Sequence, residues 1–290
     1  MIATRLFVFG LGYSAGVLAR RLREGGGEVI GSVRQPVPGE NGSLQLLAFD
    51  GTQPIAGAAS VLRDCTHLLS SVPPDADGDP AWRCHRDVIA GMPGLRWIGY
   101  LSTTGVYGDR GGGWVDESTP PAPTQARSAQ RLIAERQWLE LGRNMNVPAQ
   151  IFRLPGIYGP GRSALDQVRA GTARRVVREG QMFSRIHVED IATTLVASMQ
   201  RPQAGAIYNV CDDEPAANAD VVAYACALLG KPVPPAVPYD AIAVGMSEMA
   251  RSFWSDNRRV RNERIKRELG VVLRYPTYRE GLRSILAATR

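Results

Sequence analysis

Lysine is nearly missing from this 290-residue chain. Of its 34 basic side chains only Lys231 and Lys266 are lysines, so almost every cation is a guanidinium that stays protonated at any working pH. Histidine is also scarce, limited to His67, His85 and His187. Cys65, Cys84, Cys211 and Cys226 contain no C-x-x-C pair and no zinc-like spacing with those histidines. That argues against a metal site and a disulfide framework, and for buried free thiols in a reducing compartment. No stretch is long and apolar enough to span a membrane. Glycines at 10, 12 and 16 interrupt the one N-terminal run that could pass for a secretory core, so a cytoplasmic protein is expected. The net charge of +6 is scattered, not run together, which argues against nucleic-acid binding and suits small anionic partners. No repeat or low-complexity tract is present.

What is present begins at residue 6. Leu6-Phe7-Val8-Phe9 reads as a strand, Gly10-Leu11-Gly12-Tyr13-Ser14-Ala15-Gly16 as a turn, and Ala15, Leu18, Ala19 and Leu22 as one face of a helix. Strand, glycine turn and helix are the setting in which G-x-G-x-x-G/A marks a dinucleotide site. Gly10 allows the tight turn, Gly12 the approach of a pyrophosphate, and Ala15 close packing of helix on strand. The free N–H groups at the helix start, from Tyr13, Ser14 and Ala15, then face the phosphates. A second strand spans residues 28–34. Sites selective for NAD carry an acid at its end; here Val33 and Arg34 stand there instead. A guanidinium matches a 2′-phosphate, so NADP is expected over NAD.

Further strands are predicted at 44–48, 66–72, 95–102, 148–154 and 206–210, and helices at 80–92, 127–142, 190–200 and 218–229. Asp50, after the third strand, is placed to meet an adenine. The alternation implies an α/β fold, a Rossmann-type doubly wound parallel sheet. Residues 109–126 read as a long Gly- and Pro-rich loop. Cys84 and His85 read as packing residues.

Three more segments carry chemistry: Leu101-Ser102-Thr103-Thr104-Gly105-Val106-Tyr107-Gly108, Arg153-Leu154-Pro155-Gly156-Ile157-Tyr158-Gly159-Pro160-Gly161, and Arg185-Ile186-His187-Val188-Glu189-Asp190. With the glycine turn, their order resembles the extended short-chain dehydrogenase/reductase superfamily, the nucleotide-sugar epimerase/dehydratase family. The resemblance implies a Rossmann domain (1–160 plus about 184–212) and a smaller C-terminal substrate lobe (about 161–183 plus 213–290). It implies that Ser71, Val72 and Pro73 border the cofactor ribose and that the segment from Pro155 to Tyr158 lies beside the nicotinamide. Thr103 matches the family's catalytic Ser/Thr, with Ser102 beside it. His187 and Asp190 match a motif that is mainly structural. Helices 80–92 and 127–142 are expected to pair across a two-fold axis in a homodimer.

The family's Tyr-x-x-x-Lys is missing. Anchoring on Glu135 places Arg131 at the lysine and Arg127 at the tyrosine, and no tyrosine in the chain has lysine four residues later. Arginine cannot act as the base. Arg131 can still hold a ribose, and Arg127 can bind an anion or stabilise developing negative charge; alternatively both lie on a solvated helix face. Tyr107, Tyr158, Thr103 and His187 are the other proton-moving candidates by location. Asp116 and Glu117 are expected to brace the long loop. Tyr107, Arg127, Tyr158, His187, Trp254 and Arg258 are the candidate substrate contacts; the arginines from 251 to 264 grip an anionic substrate or lie on a solvated surface. Two readings follow. One is an NADP-dependent epimerase/dehydratase- or reductase-like enzyme acting on a nucleotide sugar or another hydroxyl/carbonyl compound. The other is a catalytically inactive NAD(P)-sensing regulator or scaffold.

Overall fold

A computed structural model describes residues 4–37 and 44–289. Seven parallel strands form the central sheet: β1 (Arg5–Phe9), β2 (Glu28–Val33), β3 (Gln45–Ala48), β4 (His67–Ser70), β5 (Trp97–Thr103), β6 (Ala149–Leu154) and β7 (Ile207–Asn209). Their order is β7-β6-β5-β4-β1-β2-β3. The order reverses between β1 and β4, paired Val8 to Leu69 and Phe9 to Ser70, and a ligand cleft is expected at the strand ends there. The main helices are α1 (Tyr13–Glu24), α2 (Pro80–Ala90), α3 (Ala126–Met145) and α4 (Val188–Gln200).

Both faces of the sheet are covered, which is why its strands read as continuous apolar runs. Leu6 and Val8 of β1 point into one core with Ala15 and Leu18 of α1 and Ile191 and Leu195 of α4. Phe7 and Phe9 point into the other, with Ile89 of α2 and Ala134 and Trp138 of α3. The two-residue period of a strand assigns them so. Helix α2 starts where Pro80 predicts. Its cap, Asp79, accepts from the Ala81 N–H (2.7 Å), the Ser70 hydroxyl (2.6 Å) and the Trp138 indole (2.7 Å), tying β4, α2 and α3 together.

A third core joins Tyr158, Leu165 and Val168 to Val222, Ala225, Tyr278 and Leu282, from segments on either side of α4 and β7. The chain then returns to the sheet: Ile265, Leu269, Val271 and Leu273 are buried in the same core as β1 and α4, although the sequence reading assigns them to the lobe. The buried Asp190 carboxylate pins that return by accepting from the N–H groups of Arg274 (2.7 Å) and Tyr275 (3.0 Å). The loop 109–126 is not structureless. Trp114–Val115 pairs in parallel with Arg259–Val260, a ladder too short to leave a periodic signal.

Beneath the β5 and β6 ends lies a buried ion pair. Arg153 donates to both oxygens of Glu135, through Nε (3.0 Å) and Nη2 (2.7 Å), and the Ser102 hydroxyl donates to the same carboxylate (2.5 Å). Both charged side chains are 2% exposed. Removing one partner leaves a buried, uncompensated charge. Glu135→Leu should therefore lower stability by about 3–5 kcal/mol. Glu135→Leu with Arg153→Met should cost clearly less than the two single changes added together. Urea unfolding of the three variants checks this, and a loss under about 1 kcal/mol for the single change contradicts it.

Candidate functional site

The glycine turn closes the C-terminal end of β1. Gly10 has φ +80°, and a Cβ there would lie 3.2 Å from Ser71 Oγ and Val72 Cγ2, so both conformation and crowding require glycine. Gly12 differs. Its φ is −94°, open to any residue, and a Cβ there would meet no protein atom within 4 Å. The space in front of α1 is open and a side chain would intrude on it. No side chain caps this terminus. The N–H groups of Tyr13, Ser14 and Ala15 precede the first helical bond, from Gly16 N–H to Gly12 O (2.8 Å). Ala15 is buried against β1, as close packing of helix on strand requires. This arrangement fits a dinucleotide phosphate. The Tyr13 side chain reaches across the turn, its hydroxyl donating to Pro160 O (3.0 Å) with Arg162 over its ring at 5.8 Å.

The residues expected to border a ribose stand at the next strand ends. Arg34 follows β2 directly and is exposed, with no ion pair or hydrogen bond among the described residues; residues 38–43 of its loop lie outside them. Asp50 is exposed and accepts from the Thr52 N–H (2.9 Å) and hydroxyl (2.7 Å), bonds that hold its carboxyl below the usual range. Ser71 donates to Gly10 O, locking the loop after β4 to the turn, with Val72 half-buried and Pro73 exposed.

Arg131 lies at the end of β5, beside the loop after β4. Its Nη1 donates to Leu101 O (2.7 Å) and reaches the Tyr100 hydroxyl (3.2 Å) and Val72 O (3.5 Å). Its other N–H groups have no protein partner among the described residues. Thr103 Oγ1 accepts from Gly105 N–H (3.0 Å) and caps the short helical turn Thr104–Tyr107, which leaves its own hydroxyl proton free to donate. Ser102 instead turns inward to Glu135.

Three expected proton movers are buried inside the protein. Tyr107 is fully buried, donates to Asn209 Oδ1 (2.8 Å), and has its hydroxyl pKa raised by burial. Tyr158 is buried with its hydroxyl directed at Thr277 O (3.4 Å) under the C-terminal lobe, and burial raises its pKa too. His187 caps α4, its Nδ1 accepting from the Glu189 N–H (3.2 Å), and lies against the rings of Tyr158 and Tyr275. Burial, reinforced by Arg274, lowers its pKa to about 4. Their burial argues against the expectation that Tyr107, Tyr158 or His187 moves a proton in the cleft, since proton exchange with a substrate requires access to it. Pro155 lies half-buried at the end of β6.

The lobe's cations are largely occupied. Arg258, expected to grip substrate, donates to Gly108 O (2.9 Å) and Asp256 (3.0 Å), a strut between lobe and loop. Arg264 pairs with Glu268, and Arg261 with Glu263. Trp254 is buried against Phe183 and Tyr239. Asp116 accepts from Ser118 and Thr119 and braces the loop, and Glu117 accepts from the Asn209 N–H (2.8 Å). Arg127 remains exposed at the start of α3, its guanidinium 4.6 Å from the Phe253 ring. Contacts that sequence reasoning missed stitch this point to the lobe: Thr124 to Asp256 (2.6 Å) and Gln125 to Ser255 (3.0 Å). No spacing rule marks such pairs across 130 residues of chain; only the unusual Arg153 inside an apolar strand signalled polar traffic below the site. Among the described residues no group of three or more His, Cys, Asp or Glu is placed to hold a metal, and no helix is long and apolar enough to cross a membrane.

The model of the NAD dependent epimerase/dehydratase family matches residues 91–211. A functionally unknown conserved protein from Silicibacter pomeroyi DSS is 49% identical over 99% of this chain and 100% of that one, with a TM-score of 0.88. A putative NAD-dependent epimerase/dehydratase from Methylobacillus flagellatus is 26% identical, with both chains fully covered and a TM-score of 0.75. Among curated relatives, protein YeeZ of Escherichia coli K12 is 34% identical over 115 residues, 39% of this chain and only 38% of its own length. A 3-diazoavenalumate denitrifying reductase of a Streptomyces species is 27% identical over 74% of this chain and 75% of that protein.

The depressed pKa of His187 has a consequence for stability. The unfolded chain takes up a proton near pH 6.5 and the folded one only near 4, so this residue's contribution is present above pH 6.5 and is lost as the pH falls toward 4. The loss is at most about 1.4 kcal/mol per pH unit. His187→Asn keeps a capping oxygen and cannot titrate. Its urea-unfolding free energy should fall less steeply than wild type between pH 6.5 and 4; parallel slopes contradict the assignment.

Proposed function

Because the chain belongs to the NAD dependent epimerase/dehydratase family, of the extended short-chain dehydrogenase/reductase type, we propose that it binds NADP and performs epimerase/dehydratase or reductase chemistry. Its substrate is a small hydroxyl or carbonyl compound bearing negative charge, a nucleotide sugar or another anion. The observation that carries this reading is the open, uncapped start of α1 behind Gly12, together with the unspent N–H groups of Arg131 at the end of β5 beside the loop after β4.

Bound nicotinamide supplies hydride exchange. The chain's own groups do the rest. The N–H groups of Tyr13, Ser14 and Ala15 hold the diphosphate, Arg34 the 2′-phosphate and Arg131 the ribose hydroxyls. Thr103 donates a hydrogen bond to the substrate oxygen, and the fixed charges of Arg131 and Arg127 stabilise negative charge developing there. Burial of Tyr107, Tyr158 and His187 favours chemistry that needs no protein base, such as hydride delivery with the proton taken from water. The same burial supports the second reading, a cofactor-sensing protein without turnover. Four free cysteines suit a reducing, cytoplasmic setting. Helices α2 and α3 lie side by side on one face, and we place the two-fold axis of a homodimer there; light scattering that reads a monomer at micromolar concentration contradicts this.

Fluorescence titration should give tighter binding of NADPH than of NADH. Arg34→Asp should reverse that order, and Gly12→Val should weaken both at least tenfold without lowering the melting temperature. Failure of both nucleotides to bind below millimolar overturns the cofactor assignment; a wild-type preference for NADH overturns the role of Arg34. Turnover of NADPH with a panel of sugar nucleotides and carbonyl compounds separates enzyme from sensor.

A further inference from the structure

We propose that Arg127 and Phe253 form a clamp for a carboxylate carried on an aromatic or conjugated group, and that this class, not a nucleotide sugar, is what the cleft accepts. The proposal rests on the cofactor reading above and narrows its substrate.

Arg127 is an uncompensated cation. Among the described residues it has no ion pair and no hydrogen-bond acceptor, and its one contact is the Phe253 ring at 4.6 Å. With the guanidinium carbon over the ring, the fork of N–H donors has no acceptor among the described residues and is free for a ligand. A carboxylate fits that fork in two parallel hydrogen bonds. The ring contact also holds the guanidinium in advance, so less conformational freedom is lost on binding.

The ring belongs to an exposed apolar face. Phe253 is 55% and Met249 67% exposed, four residues apart on helix Glu248–Ser255 and so on one side of it. This helix is fastened beside Arg127 by the Thr124–Asp256 and Gln125–Ser255 bonds. Cation and apolar face are therefore fixed relative to one another. A flat ring or conjugated chain covers Phe253 and Met249 while its carboxylate meets the fork.

The clamp also lies at the reacting end of the cleft. Ser128, next to Arg127, is buried against the end of β5: a Cβ on Gly105 would stand 2.6 Å from Ser128 Oγ and 3.3 Å from Thr103 Oγ1. Arg131 follows one helical turn later. A diphosphate linker would need more than one free cation here. Arg178, beside the same helix, is spent on Trp254 O and the Tyr239 ring. Arg251 stands two residues from both Met249 and Phe253, about 200° around the helix from each.

Calorimetry on the NADPH complex tests this with cinnamate, cinnamyl alcohol and UDP-glucose as probes. Wild type should bind cinnamate at least tenfold more tightly than the alcohol. Arg127→Gln should remove that preference while binding the alcohol as before, and Phe253→Ala should weaken both. Both side chains are exposed, so melting temperature and NADPH affinity should be unchanged. The proposal is overturned if cinnamate does not bind up to millimolar, if Arg127→Gln binds it equally well, or if UDP-glucose binds more tightly than cinnamate. Repeating the titration without NADPH keeps the two readings apart. Loss of NADPH binding alone defeats the cofactor assignment, whereas the Arg127 dependence of cinnamate binding answers for the clamp.

Discussion

The ion pair between Glu135 and Arg153 is the constraint on which the site depends. A helix laid on a sheet by apolar contacts alone can rotate by a fraction of a turn at small cost. Two parallel hydrogen bonds to a carboxylate buried in low dielectric cannot tolerate that rotation. Glu135 stands one turn after Arg131 and two after Arg127, so fixing its carboxylate on β6 fixes the rotation of both arginines. Ser102 ties the same carboxylate to β5. The polar chain continues through Tyr107, over whose ring Arg153 lies at 4.9 Å, to Asn209 on β7. Three strand ends and one helix are thereby set relative to each other before any ligand arrives.

The molecule divides its polar groups between two tasks. Groups that the family resemblance makes suggestive, His187, Asp190, Tyr158 and Tyr107, are buried and bonded within the protein. Among the described residues around the cleft, the groups left with unspent donors include the start of α1, Arg34, Thr103, Arg131 and Arg127. All are donors that carry a positive charge or a partial one. The cleft is equipped to hold negative charge in place more than to move protons, and replacement of tyrosine and lysine by two arginines belongs to that same bias.

Most of the sheet was legible in the sequence because its inner strands are buried on both faces and helices α1, α2 and α4 show an apolar period; edge strand β3 is half exposed, and α3 has little periodicity. Gly10 and Gly12 could be read because the turn requires glycine for separate reasons of crowding and openness. Pro80 marked the start of α2 for a reason equally local. What could not be read depends on distant partners. Nothing near Tyr107 announces that Asn209 will accept its hydrogen bond, and nothing near Arg258 announces Gly108 and Asp256. The short ladder between Trp114–Val115 and Arg259–Val260 has no period, and residues 263–273 return to the sheet although their amphipathic pattern is that of any surface helix.

The stitches from Thr124 and Gln125 to the end of helix Glu248–Ser255 have a consequence for how such a protein can diverge. This helix is fastened to the two residues that lead directly into α3, not to neutral scaffold. A change in that helix that alters which molecule is accepted also shifts the charge placed at the reacting end. Selectivity and reactivity are thus inherited as one trait, and a duplicated copy adopting a new substrate would have to revise both together.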